Sequence, residues 1–531
     1  MEQASSADGI FLRVDSDVGL ADVRRAVNGA GLEAGSYSLN PVNESGLYYV
    51  TPERPLPLGE AWPIARSLSA DPLVAYAEVD APVPGIDAPR YERSTRQFGW
   101  GETPNKPCSK DPEWSLKSAG VLEAWKLKKA PRGKDIRIGH PDTGYRRHPE
   151  IDDPDRLLAD LGYDFKDRKR DPLDPLERPS PGHGTATASV FMSDVGSTEG
   201  DPQYVGGVAP AAEVVPFRVS SSVIHFNFGN VVKSIYAAIS ADCHIVSMSL
   251  GGPFGSRALA EAVRDAQDAG LILLGAAGNV YKRVIYPARI DTVIAVAASN
   301  CDDRPWRDSA RGRQVDITAP GESVWRARTS RSGDYDEERS SGTSYAVATT
   351  AGICALWLSY HGRDELIRRY GRERLARVFQ QLLRTEGYRP ISNWDTERYG
   401  PGIIDAKALL KAKLPKRPPI RSFAPDRLAG FNLNTVEELS LYFPDVPVGR
   451  ITEVMQKTLG ATPDDFFDVL ADYGDEFRFH CASNEAFRRS LLGLASPGRR
   501  TLRGFRGRSA RTNSQLQSQA SPDFLARLNA R

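Results

Sequence analysis

An aspartate, a histidine and a serine stand in three short glycine-bearing segments, widely separated and in that chain order. Ile136-Arg137-Ile138-Gly139-His140-Pro141-Asp142-Thr143-Gly144 sets a carboxylate at the end of a short apolar run. Gly182-His183-Gly184-Thr185-Ala186 sets an imidazole between glycines at the start of a helix-like stretch, and Ser341-Gly342-Thr343-Ser344-Tyr345-Ala346 sets a hydroxyl just ahead of apolar sequence reaching Tyr360. A serine becomes a nucleophile only when a base takes its proton. That base needs a buried acid to fix its tautomer and stabilise the imidazolium. Asp142, His183 and Ser344 are therefore candidates for acid, base and nucleophile in an acyl transfer. Taken singly, each has a plainer reading as turn residue, loop histidine or helix N-cap; the combination points to chemistry. Asn279, closing Ala276-Ala277-Gly278-Asn279, carries a side-chain amide suited to a developing oxyanion, and the Ser344 N–H is the second donor.

These residues need a scaffold that brings distant segments together. Between 115 and 412, short apolar runs alternate with helix-like stretches: Ile136–Ile138, Val214–Phe217, Ile245–Met248, Leu271–Leu274 and Val293–Val296 against Val231–Ser240 and Arg257–Ala269, the last ending at Gly270 as a C-cap. Near-continuous apolar strands are the mark of a parallel sheet covered on both faces. The alternation predicts a doubly wound α/β domain.

Together the three segments resemble the signature motifs of the subtilisin-like serine protease (subtilase) family. So do His148-Pro149, Gly207-Val208-Ala209-Pro210, Ser249-Leu250-Gly251-Gly252 and Ala276-Ala277-Gly278-Asn279. The resemblance covers residues 115–410 and implies a serine endopeptidase working through an acyl-enzyme on a polypeptide substrate. It implies substrate contacts along Ser249, Leu250 and Gly251, and a P1 pocket walled by Ala276, Ala277 and Gly278. Ile285, before Tyr286-Pro287, stands where the family carries a small residue, so it should shorten the pocket unless it turns into the core. The chemistry requires no cofactor. Structural calcium is common in the family, but no ligands are assignable here, and the acid run Asp334–Glu338 reads as a solvated loop. Pro141 and Ala348 depart from the family pattern without touching the chemistry.

Residues 1–88 read as strand, helix, strand, helix, strand (Ile10–Val14, Leu20–Gly31, Tyr48–Val50, Glu60–Leu68, Val74–Val79). By pattern and position this resembles the family's ferredoxin-like inhibitory propeptide, implying a self-inhibited precursor cut within Ala81–Pro112. Residues 89–114 and the basic, proline-rich 413–424 read as linkers. Residues 425–494 form a small helical domain able to bind a protein partner, with helices at Thr435–Tyr442, Gly449–Thr458, Pro463–Tyr473 and Asn484–Leu492. The tail 495–531, with eight arginines against Asp523, reads as disordered.

The chain has 40% hydrophobic and 26% charged residues, the balance of a soluble protein, and its net charge of +1 gives no global pull toward nucleic acid. No apolar run is long enough to span a membrane and no leader pattern opens the chain, so a cytoplasmic location is expected. Five scattered cysteines (Cys108, Cys243, Cys301, Cys354, Cys481) argue against a disulfide framework or zinc site. The remaining histidines, His140, His148, His225, His244, His361 and His480, read as structural. Two rival functions follow from the flanking pieces: a regulatory binding module built on a protease fold, or a processing protease acting on one recruited partner.

Overall fold

The computed structural model describes residues 6–82, 110–127, 132–193, 206–225, 227–329, 335–416, 431–440, 446–495 and 514–529. They divide into two compact units: residues 88–255 with 259–422, and residues 1–87 with 256–258 and 423–531.

The first unit is built on a nine-stranded sheet. Its strands are β5 (Arg137–Asp142), β6 (Tyr163–Asp164), β7 (Glu213–Arg218), β8 (Ile245–Met248), β9 (Ile272–Ala276), β10 (Ile294–Ser299), β11 (Ile317–Pro320), β14 (Tyr388–Arg389) and β15 (Ile403–Ile404). A hairpin of β12 (Val324–Thr329) and β13 (Tyr335–Ser340) stands apart from it. The sheet order is β14-β15-β11-β10-β9-β8-β5-β7-β6, parallel throughout except for the β14–β15 pair. Helices cover both faces, as the apolar strands require. On one face, α3 (His183–Met192) and α6 (Thr343–His361) join Ile138, Ile245, Ile272 and Ile294 in the main core. On the other, Gly139 lies against Ala238 of α4 (Gly229–Ser240), followed in the chain by α5 (Arg257–Asp268). All ten residues of α3 are buried, and α6 is buried from Thr343 to Leu358. Helices apolar all round belong in a core rather than on a surface.

In the second unit, β1 (Gly9–Val14), α1 (Leu20–Gly29), β2 (Tyr37–Pro41), β3 (Leu47–Pro52), α2 (Leu58–Ser69) and β4 (Val74–Asp80) form an antiparallel sheet of order β2-β3-β1-β4. This is the expected ferredoxin-like arrangement with one strand more than the sequence suggested. That strand, β2, reads Tyr-Ser-Leu-Asn-Pro and is largely exposed, so no apolar run announces it. The C-terminal helices are α7 (Phe431–Leu439), α8 (Val448–Leu459), α9 (Phe466–Ser483), α10 (Glu485–Ala495), α11 (Ser514–Gln519) and α12 (Pro522–Asn529).

Several expectations change. The tail expected to be disordered carries α11 and α12, whose Leu516, Phe524 and Leu528 are buried; three apolar residues hidden in a polar composition suffice for a short amphipathic pair. Its arginines from Arg499 to Arg511 and Arg531, most of both linkers (89–109 and 417–424) and most of the expected cleavage stretch lie outside the described residues. The C-terminal helices fall in the same compact unit as residues 1–87. Cys301 is disulfide-bonded, while Cys243, Cys354 and Cys481 are free and buried; distance along the chain says nothing of distance in space. Asp336 and Glu338 lie on strand β13, in register with Arg328 and Arg326 of β12, and Glu338 pairs with Arg326, so the stretch is a hairpin strand and not a loop; Asp334 lies outside the described residues. Among the described residues, no helix is long and apolar enough to cross a membrane, and no group of three or more His, Cys, Asp or Glu is placed to hold a metal.

Candidate active site

Parallel strands place their carboxyl ends on one rim, where loops open a crevice. β9, β8 and β5 are neighbours, and just at or past their ends stand Asn279, Ser249 and Asp142. The N-termini of α3 and α6 bring His183 and Ser344 to the same rim.

Asp142 is the last residue of β5 and is 1% exposed. Its carboxylate meets His183 Nδ1 at 2.8 and 3.0 Å and accepts the Thr143 N–H at 2.7 Å. Burial works to raise this carboxyl. The facing His183 ring with its hydrogen bond, His140 and the Thr143 N–H outweigh it and hold the group below the usual aspartate range. His183 opens α3 after Gly182, whose φ of +70° suits a residue without Cβ. Gly184 is needed for a different reason: a Cβ there would run into Gly144 O, the turn that follows Asp142. The two glycines flanking His183 thus let the helix start press against the strand end.

Ser344 lies in the first turn of α6, where backbone N–H groups lack helical partners and carry partial positive charge. Its Oγ donates to Ser249 O at 3.2 Å, and Ser249 Oγ donates to Ser344 O at 3.0 Å, so the serine is latched to the end of β8. Asn279 Oδ1 accepts from Thr343 N at 2.9 Å and Thr343 Oγ1 at 2.7 Å, while Thr343 Oγ1 accepts from Gly278 N at 3.1 Å. Two donors on Oδ1 fix which end of the amide is oxygen and leave Nδ2 as the end to be offered to a ligand.

A cavity of about 50 Å³ opens beside Ser344, lined among others by Ser249, Leu250, Gly251, Ala276, Gly278, Asn279 and Ile285. Ile285 is half-buried and its side chain lies 2.8–3.4 Å from where Cβ atoms would stand on Gly251 and Gly278, so it spans the two walls instead of turning into the core. Ala277 does not line this cavity. Alternation along the strand end sends it to a separate cluster with Val284, Ala288 and Ala295. Lys282 and Arg283 are exposed and outside the lining.

Sequence reasoning missed four contributors. Asp174 accepts from Thr143 Oγ1 at 2.7 Å, Leu176 N at 2.7 Å and Gly182 N at 2.8 Å, tying the residue after Asp142 to the one before His183. Burial raises its carboxyl despite these donors. Nothing in Asp171-Pro172-Leu173-Asp174 marks it out. His140 and Thr187 meet at 3.0 Å beneath Asp142, with Thr187 Oγ1 at 3.4 Å from Asp142 Oδ2; burial pushes His140 down to about 4, so the ring is neutral. Last, Val223–His225 lies along the expected substrate edge: Gly251 N donates to Val223 O and His225 N to Gly251 O, both at 2.9 Å. The main-chain groups of Gly251 that a substrate strand would use are engaged.

Residues 133–385 match the model of the Subtilase family. The chain is 27% identical over 322 residues to the thermophilic serine proteinase of Bacillus sp. (strain AK1), covering 60% of this chain and 72% of that one. It is 29% identical over 264 residues to thermitase of Thermoactinomyces vulgaris, covering 49% and 87% respectively. It is 32% identical over 232 residues to subtilisin DY of Bacillus licheniformis, covering 43% and 77%. In fold it is similar to fervidolysin from Fervidobacterium pennivorans, a keratinolytic enzyme related to subtilisin, with a TM-score of 0.57 at 17% identity over 78% of this chain and 62% of that one.

Proposed function

We propose that this chain, which belongs to the subtilase family of serine peptidases, cuts peptide bonds through Ser344, His183 and Asp142 and is made as a self-inhibited precursor. The observation that carries the reading is the pairing of a buried carboxylate with His183 Nδ1 at 2.8 Å, at the same rim as Ser344. With its Nδ1 proton held by Asp142, His183 keeps Nε2 as the basic nitrogen.

Catalysis requires Ser344 Oγ to exchange its hydrogen bond to Ser249 O for one to His183 Nε2. The hydroxyl proton then passes to His183 as Oγ bonds to the scissile carbonyl carbon. The carbonyl π electrons move to oxygen, and that oxyanion is met by Asn279 Nδ2 and the Ser344 N–H at the helix N-terminus. Collapse expels the amine, which takes the proton from His183, and leaves an acyl-enzyme. Water, deprotonated by His183, repeats the addition and frees the serine. Asp142 stays ionised throughout, stabilising the imidazolium. These steps involve no metal or cofactor. Substrate lies extended along Ser249–Gly251 with its P1 side chain in the cavity beside Ser344.

The precursor reading rests on the ferredoxin-like fold of residues 9–80, directly ahead of the peptidase domain. Intact-mass analysis of the wild type beside Ser344→Ala tests both halves. The wild type should lose its N-terminal piece by a cut within Ala81–Pro112 and take up a fluorophosphonate; the variant should do neither. A variant that processes itself and is labelled as the wild type is would overturn the assignment.

A further inference from the structure

Helix α2 is buried on two sides. Leu58, Ala61, Ala65 and Leu68 face the core of the N-terminal sheet. Gly59, Trp62 and Arg66, spaced three and four residues apart, form a second stripe. The C-terminal helices cover that stripe. A Cβ on Gly59 would meet Ala520 O at 3.0 Å, and the Trp62 ring lies 5.6 Å from that of Phe479. Phe479 belongs to the N-terminal domain's own core cluster.

Arg66 completes the joint. Its Nη1 donates to Glu476 Oε2 at 2.9 Å and its Nη2 to Ser521 Oγ at 3.0 Å, with the guanidinium 4.6 Å from the centre of the Tyr473 ring. The Glu476 side chain is 1% exposed. It also accepts from Ser521 N at 2.6 Å and Ser521 Oγ at 2.9 Å, and His480 Nε2 stands 3.7 Å away. A carboxylate buried this deeply needs a fixed counter-charge, and Arg66 brings one from 410 positions earlier in the chain. The C-terminal helices thus pack against α2 of the chain's own N-terminal domain.

We infer that residues 431–529 are a retaining clamp: once the stretch between 83 and 109 is cut, the N-terminal domain stays bound through α2, Glu476 and Ser521. The inference rests on reading the N-terminal domain as a clipped inhibitor. It makes that inhibitor a resident subunit whose release needs a second event at the clamp.

The test uses the full chain carrying Ser344→Ala, with a recognition sequence for an unrelated specific protease placed between residues 89 and 109. After the cut, gel filtration should show both fragments eluting together. Arg66→Glu should weaken retention at least about a hundredfold, because it sets two carboxylates against each other in a buried site. The swap Arg66→Glu with Glu476→Arg should restore much of it. Should Arg66→Glu fail to fold, Gly59→Leu serves instead: it keeps a good helix former in α2 while driving a side chain at Ala520. Departure of the fragment from the cut parent, or retention unaffected by both Arg66→Glu and Gly59→Leu, overturns the clamp; the latter would mean that the cleft alone holds the fragment. The same cut made without Ser344→Ala separates the two readings. Full activity with the fragment retained removes the inhibitor reading and leaves the clamp standing. A fragment that leaves but still inhibits when added back removes only the clamp.

Discussion

The wild type should favour small P1 residues, and replacing Ile285 by glycine should let it accept aromatic ones. The cavity beside Ser344 holds about 50 Å³, with Ile285 laid across it between Gly251 and Gly278. An engineered apolar cavity of about 150 Å³ takes benzene, so a phenyl group finds here about a third of that volume. Each methylene shut out of a pocket is worth about 1–3 kcal/mol of transition-state binding. A ring denied two carbons' worth of space loses about 2–6 kcal/mol, or roughly 30-fold to 10⁴-fold in kcat/KM. Ile285→Gly removes four carbons from the middle of the cavity. Ile285 is only half-buried, so stability should fall less than for a core deletion. The assay is a peptide series identical except at P1, with Ala, Val, Leu, Phe and Glu, measured as kcat/KM for both proteins. Ala should exceed Phe by at least about 30-fold in the wild type, and the Phe-to-Ala ratio should rise at least about tenfold in the variant. Glu should gain nothing, since Lys282 and Arg283 stand outside the cavity. Faster cleavage after Phe than Ala in the wild type, or a ratio indifferent to Ile285, would refute the reasoning.

Three further outcomes are expected. Ser344→Ala and His183→Ala should each lower kcat by about 10⁶, Asp142→Asn by about 10⁴ and Asn279→Leu by about 10²–10³; titration with a peptide substrate checks this, and a Ser344→Ala rate above a hundredth of wild type would sink the assignment. Acid should destabilise the peptidase domain, because burial pushes His140 and His225 down to about 4. Both sit below the ordinary histidine value near 6.5, so the stability they confer is complete above that pH and is lost as pH falls toward 4, about 3 kcal/mol for each ring. Urea melts at pH 7 and 4.5 measure the loss, and His225→Phe should reduce it; an unchanged slope in that variant would contradict the account. Gly184→Ala should cost about 1–3 kcal/mol and most of the activity, since its methyl group must push the start of α3 off Gly144 O; a melt combined with kcat distinguishes this from harmless accommodation.

Strands with continuous apolar runs and helices with sharp ends were legible in the sequence. Ile245–Met248 and Gly229–Ser240 lie within two residues of where the pattern put them. The candidate site residues stood out for a different reason. Glycines at 182, 184 and 278 mark places where the backbone must turn tightly or approach closely, and chemistry-bearing side chains stand beside them. Residues acting through a hydrogen bond to a distant loop left no such mark. Asp174 sits among prolines and charges, with nothing to tell it from a turn residue, although it fixes the spacing of Thr143 and Gly182. Ala277 was placed by its neighbours, and strand alternation decided otherwise. The joint between α2 and the C-terminal helices was invisible because Arg66 and Glu476 each look like ordinary surface charges in their own helices.

With substrate lying along Ser249–Gly251 as proposed above, the segment Val223–His225 makes capture a displacement reaction. In the proposed binding mode, a peptide reaching Gly251 must first break two main-chain hydrogen bonds already made there. Each such bond is worth about 0.5–1.5 kcal/mol net, so the occupied edge costs an incoming peptide about 1–3 kcal/mol, roughly 5-fold to 150-fold in apparent affinity. A dipeptide that touches only Ser249 leaves both bonds in place and gains nothing from this edge. A longer chain regains both bonds and adds contacts beyond them. In that binding mode the segment is a competitor for Gly251, and only a polypeptide that presents an extended, unpaired backbone can replace both of its bonds.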